Sequence, residues 1–233
     1  MTVYGAVFAR GGSKGVPGKS LRKIGGRSLL DISITLGNAF PGVDRMFCST
    51  DSSEIATEAA RLGAEVPFLR PAALADDDSP EWSAWQHLVS NLLEAGAAPS
   101  DVLVSLPLTS PLRAEEDVAG ALSVLASGSF DIVLGVTESK KSPWFNMVSR
   151  NPSSEIALAF ESQGDSVTRR QEAPLLFDLT TVVYATTLGF VSTSPNIFAG
   201  RVGSVVVPAE RAVDIDTELD LQIAEYLFQQ KLR

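Results

Sequence analysis

Apolar residues in the first third of the chain fall into short runs, each broken by glycine, proline or small polar residues. Val3, Tyr4, Ala6, Val7 and Phe8 form the first run, apolar on both faces as strands of a covered parallel sheet are. Beyond a glycine-rich stretch, Ser28 is placed to cap a helix over Leu29, Leu30, Ile32, Ile34 and Leu36, limited by Gly37 and the turn at 40–42. Residues 43–49 read as a second strand. Asp51 or Ser52 then caps a helix whose Ile55, Ala59 and Leu62 share a face up to Gly63, and residues 65–68 read as a short third strand.

The alternation continues with a helix over 80–95, where Trp82, Trp85, Leu88, Val89, Leu92 and Leu93 recur at spacings of three and four. Strands follow at 102–106 and 131–137, with a helix over 115–126 between them. From 138 to 180 the pattern becomes irregular, cut by Pro143, Pro152, Gly164 and Pro174, and predicts an antiparallel excursion from the main sheet. Short strands at 182–185 and 202–207 precede a C-terminal helix capped by Thr217, with Leu219, Ile223 and Leu227 on its apolar face. Strand and helix in this order predict an α/β domain around a mostly parallel sheet, with one domain over 1–233.

Composition narrows the function. A formal charge of −9 argues against a nucleic-acid surface, while cations at 10, 14, 19, 22, 23 and 27 form one basic cluster suited to a small anion. Cys48 is the one cysteine, which fits a reducing cytoplasm, and no leader or apolar stretch long enough to cross a membrane is evident. His87, with no second His or Cys beside it, is assigned no role.

The chemistry concentrates at two places. After the first strand the chain reads ARGGSKGVPGKS, whose glycines permit close backbone approach and whose Arg10, Lys14 and Lys19 supply charge for a polyphosphate. The spacing is neither a P-loop, which would need glycine at 13, nor a dinucleotide fingerprint. Near the other end, Asp214 and Asp216 flank Ile215, so an extended backbone turns both carboxylates to one side, toward a hard cation or toward solvent as caps. Asp76, Asp77 and Asp78 read as solvated acids rather than a metal site. The stretch PLTSP, at the carboxyl end of a strand, gives Thr109, Ser110 and Arg113 a reason to matter.

ARGGSKGVPGKS, followed in order by LLD, STDS, RP, LTSPLR, RRQ and DIDTELD, resembles the acylneuraminate cytidylyltransferases, or CMP-sialic acid synthetases, over residues 3 to 228. The resemblance implies a three-layer Rossmann-like nucleotidyltransferase, a homodimer joined through the excursion, and transfer of CMP from CTP to an acidic nine-carbon sugar. It implies that Arg10, Gly12, Ser13, Lys14, Lys19, Ser20, Arg70 and Ser110 hold the nucleotide, with Lys19 and Asp216 catalytic. Arg70 is expected on the phosphate side. Mg2+ would sit on Asp214 and Asp216, and Arg170 and Tyr184 would face the sugar. The chain departs from the pattern at Ser20 (usually asparagine), at Pro107-Leu108 (usually glutamine-proline), and at Asp178 and Thr180-Thr181, where arginine and asparagine-glycine are common. A sugar-1-phosphate nucleotidyltransferase using another nucleotide and a catalytically degenerate nucleotide-binding subunit are the alternatives.

Overall fold

In the computed structural model, which describes residues 1–13, 15–76, 79–160 and 173–231, the first element is β1 (Val3–Phe8), followed by a small hairpin of β2 (Lys23–Ile24) and β3 (Arg27–Ser28). Then come α1 (Leu29–Ala39), β4 (Arg45–Ser49), α2 (Ser53–Arg61), α3 (Glu81–Glu94), β5 (Val102–Ser105), α4 (Glu115–Ala126) and β6 (Ile132–Glu138). A second hairpin, β7 (Val148–Arg150) and β8 (Ile156–Leu158), leads to β9 (Phe177–Thr187), α5 (Leu188–Thr193), β10 (Val202–Val206) and α6 (Glu218–Lys231).

The main sheet has the order β10-β6-β9-β5-β1-β4, and β9 alone runs antiparallel to its neighbours. Alternate residues of each strand point into two separate cores, which produces three layers. Val7, Val102, Val104 and Val133 face α1, α2, α4 and α6, whereas Tyr4, Ala6, Leu103, Ile132 and Leu134 face α3 and α5. The mostly parallel α/β architecture and the small antiparallel excursion follow the expectation.

Four details differ from it. Residues 65–68 form no continuous strand; single parallel bridges join Phe47 to Glu65 and Thr50 to Leu69, because Pro67 has no N–H for a ladder. β9 is much longer than residues 182–185 and occupies the centre of the sheet. The β2–β3 hairpin turns through Gly25 and Gly26, both at positive φ, and its tip lies on α6: a Cβ at 25 would stand 2.3 Å from the Phe228 ring. That contact helps select the buried side of α6, which carries Leu221 and Ala224 with Phe228, while Leu219 and Ile223 are exposed. Thr217 caps the helix as expected, its hydroxyl accepting from Asp220 N and the Asp220 carboxylate accepting from Thr217 N.

Candidate active site

The loop after β1 and the segment before α6 meet at the carboxyl ends of β1 and β5, the end where open α/β sheets place ligands. Gly15 makes the closest approach: a Cβ on it would lie 2.1 Å from the backbone oxygen of Asp216, so only glycine lets the strands of chain touch there. Gly18, at φ 63°, then turns the backbone into a short 3-10 turn that carries Lys19 and Ser20. Lys19 Nζ donates to Ile215 O at 2.5 Å and to Asp216 Oδ1 at 3.1 Å. A cation 196 positions away in sequence thus clamps the acidic segment.

A cleft of about 500 Å³ opens over this junction, lined by Arg10, Ser13, Lys19, Ser20, Asp214 and Asp216, with Thr109 and Thr181 on the far wall. A smaller cleft of about 310 Å³ adjoins it, lined by Arg70, Leu74, Ala75, Asp76, Ser79 and Ala84. Phe8, Arg10 and Glu81 belong to both. Arg70, expected on the phosphate side, therefore opens on the smaller cleft rather than on the one that holds Lys19. It is buried, stands 3.9 Å from Asp51 Oδ1, and its Nε has no hydrogen-bond partner. Burial lowers its pKa, against the pull of Asp51.

The two aspartates are not equivalent. Asp216 is exposed and paired with Lys19. Asp214 is half-buried and its Oδ1 is a buried acceptor without a hydrogen-bond partner. Burial pushes the Asp214 pKa up, the Asp216 charge adds to the push, and Thr109, Thr181 and Lys19 pull the other way. An orphaned buried carboxylate oxygen beside a second acid has the hard-oxygen chemistry that a magnesium ion takes. Among the described residues no group of three or more acidic, histidine or cysteine side chains converges.

The remaining expected residues are spread more widely. Gly12 is exposed, and a Cβ there would meet nothing within 4 Å. Ser110 is fully buried and shares a 2.7 Å hydrogen bond with Thr181, so it supports the wall of the cleft instead of lining it. Arg113 is also buried. It donates to the carbonyls of Val182 and Pro107 and to the Ser33 hydroxyl, and burial pushes its pKa down to about 9. Tyr184 packs edge-on against Trp85 at 5.5 Å, and burial, with the charges of Glu81 and Asp214, raises its pKa. Lys14, Arg170 and two of the three consecutive aspartates, Asp77 and Asp78, lie outside the described residues.

Two further residues line the cleft with no local sequence pattern to mark them. Thr181 accepts from Thr109 at 2.9 Å and reaches the cleft because β9 runs antiparallel into the centre of the sheet. Glu81 begins α3; its Oε1 accepts from Trp85 Nε1 at 3.0 Å. The residue is exposed on the clefts; nearby protein that crowds out water raises its pKa, while the Trp85 N–H and the charge of Arg70 oppose the shift.

A family profile described as Cytidylyltransferase matches residues 5–167. The post-translational flagellin modification protein B of Campylobacter coli is similar at 28% identity, over 97% of this chain and 94% of its own length. The CMP-N,N'-diacetyllegionaminic acid synthase of Campylobacter jejuni is similar at 29% identity, with the same two coverages. Among solved structures, a CMP:2-keto-3-deoxy-manno-octonic acid synthetase complexed with CTP shares the fold, with a TM-score of 0.72 at 16% identity, covering 99% of this chain and 100% of that one.

Proposed function

The chain belongs to the cytidylyltransferase family, and from that premise we propose that it transfers CMP from CTP to the anomeric hydroxyl of a nonulosonic, sialic-type acid, releasing pyrophosphate. The observation that carries this reading is the contact of the glycine loop with the segment before α6. Lys19 and Asp216, on those two segments, face one cleft, with the unpartnered Asp214 Oδ1 beside them. In-line attack on the α-phosphorus forms one P–O bond and breaks another, so catalysis rests on placement and on charges fixed where negative charge develops.

Arg10, Ser13 and Lys19 line the larger cleft and are assigned to the triphosphate, with Lys14 and the backbone at Gly12 from the same loop. Lys19 is the group that stabilises charge on the α-phosphoryl oxygens. Ser20, also on the cleft wall, offers a hydroxyl to the nucleotide. Arg70, with a buried donor unmet, is assigned to the smaller cleft, where a base carbonyl would satisfy it. Ser110 acts through Thr181. Asp214 and Asp216 would hold Mg2+, which supplies Lewis-acid stabilisation of phosphate oxygens when bound. Asp216, exposed at the cleft, is the group assigned to receive the proton of the attacking hydroxyl.

Arg170 and Tyr184 are assigned to the sugar side, Arg170 because a guanidinium fork fits a carboxylate. The names of the relatives favour a legionaminic- or pseudaminic-type acid: besides the synthase above, a pseudaminic acid cytidylyltransferase of Campylobacter jejuni is 26% identical over 94% of this chain. A homodimer in the cytoplasm completes the reading. The test is pyrophosphate release from CTP with magnesium and a panel of nonulosonic acids. Turnover with a sugar phosphate and UTP or GTP, but none with CTP and free acidic sugars, would reject it.

A further inference from the structure

Among the described residues Glu81 is the one carboxylate shared by both clefts, and neither the metal pair nor the phosphate loop accounts for it. An acid in the first turn of a helix ordinarily answers the helix dipole. That role needs no cleft and no particular orientation, whereas here the side chain is steered. Trp85, one turn along α3, holds Oε1 through its indole N–H, and the indole is itself fixed by Phe8, stacked at 5.7 Å, and by Tyr184. A carboxylate so placed cannot face a phosphate. It can face a cation, as it does the neighbouring charge of Arg70, or a neutral hydrogen-bond donor on a bound ligand.

The order of the clefts says which donor. On the cytidylyl-transfer reading, Lys19 and the two aspartates, which line the larger cleft, hold the polyphosphate there. The smaller cleft, walled by Phe8, Leu74, Ala75 and Ala84 with polar atoms from Arg70, Asp76 and Ser79, has the mixed lining of a site for a planar base. In a nucleoside triphosphate the ribose joins base to phosphates, so a nucleotide spanning both clefts carries its ribose past their shared residues. We propose that Glu81 accepts hydrogen bonds from the ribose 2′- and 3′-hydroxyls and makes the enzyme selective for ribonucleotides. The inference rests on the cytidylyl-transfer reading and adds a specificity residue to it.

The experiment measures kcat/KM for CTP, 2′-deoxy-CTP and 3′-deoxy-CTP in the wild type, Glu81→Gln and Glu81→Ala, with the acidic sugar saturating. Glutamine keeps an acceptor for Trp85 and the helix start, but its second terminal atom becomes a donor. The wild type is expected to favour CTP over at least one deoxynucleotide by about 10- to 100-fold, the worth of a hydrogen bond to a charged group. Both variants should bring that ratio to within about threefold of unity, chiefly through a higher KM for CTP at nearly unchanged kcat. Wild-type selectivity retained in both variants would overturn the assignment, as would a wild type that ignores the missing hydroxyls. Absence of wild-type turnover with CTP would instead strike the parent reading.

Discussion

Three residues at the contact between the glycine loop and the acidic segment make separable predictions. Alanine at position 15 would set a methyl 2.1 Å from the Asp216 carbonyl, so the two segments must part by an ångström or more. A displacement on that scale costs on the order of 10²-fold in catalytic efficiency when it separates reacting groups. Gly15→Ala should therefore lower kcat/KM by about 10- to 100-fold while far-ultraviolet circular dichroism stays as in the wild type; unaltered kinetics would mean that the contact is dispensable. Lys19→Ala tests charge rather than distance. It should lower kcat by about 10²- to 10³-fold with little change in KM, as removal of a donor to developing charge does. Asp214 exposes a conflict between stability and activity. Its pKa is raised, so at neutral pH the folded state holds a carboxylate it would rather protonate, and this cost is felt above the raised folded pKa. Asp214→Asn should remove magnesium-dependent activity yet raise Tm at pH 7 by about 2–4 °C, taking about 1 kcal/mol for a buried unsatisfied group that solvent partly screens. The gain should shrink as pH falls through that pKa, because the wild-type side chain is then neutral too. Calorimetry across that range reads the sign directly.

Among the elements, β9 explains both what the sequence disclosed and what it withheld. The buried parallel strands were legible because they are short apolar runs closed by breakers, and the helices because Ser28, Ser52 and Thr217 stand where their side chains accept from the first turn. β9 was legible only in part. Its first residues, Phe177, Asp178 and Leu179, extend to the sheet end and are exposed, so no alternation marks them as strand. Thr181 was invisible as a site residue for the same reason: its place follows from long-range pairing of β9 with β5 and β6, which no local pattern encodes. Arg113 was flagged by its position after TSPL, but its work is to hold this arrangement. It bridges the Pro107 carbonyl of the loop to the Val182 carbonyl of β9. Arg113→Leu leaves these buried acceptors without a donor and should destabilise by about 1–3 kcal/mol for each. The measurement is the urea midpoint with the slope unchanged; because Thr181 and Ser110 lean on the same strand and loop, the KM for CTP should rise as well. A variant as stable as the wild type would show that β9 is held by its ladder alone.

At the scale of the whole molecule, the distribution of exposed apolar area is uneven, and it argues for assembly. The β7–β8 hairpin and the start of β9 expose Val148, Ile156, Leu158, Phe160, Leu175, Phe177 and Leu179, each more than 40% accessible. Trp144 is an exception, since its ring meets Phe160 edge-on at 5.2 Å and belongs to a local cluster. So many exposed apolar side chains on an otherwise acidic protein are expected to belong to an interaction surface, and an isolated two-stranded hairpin has little stability without a partner to pack on. A second copy of the chain is the occupant expected, because the same patch on both partners satisfies twofold symmetry with no other component. Light scattering at micromolar concentration should then give twice the chain mass for the wild type and the chain mass for Ile156→Glu/Leu158→Glu, in which two charges would have to be buried unpaired. Arg170 lies in the stretch that joins this hairpin to β9. With Arg170 assigned to the sugar, the double variant should raise KM for the acidic sugar by about tenfold or more and leave nucleotide affinity, measured by titration with CTP, within twofold. A monomeric wild type would remove the assembly argument, and a dimer that loses CTP affinity on the same substitutions would place the hairpin at the nucleotide rather than at the sugar.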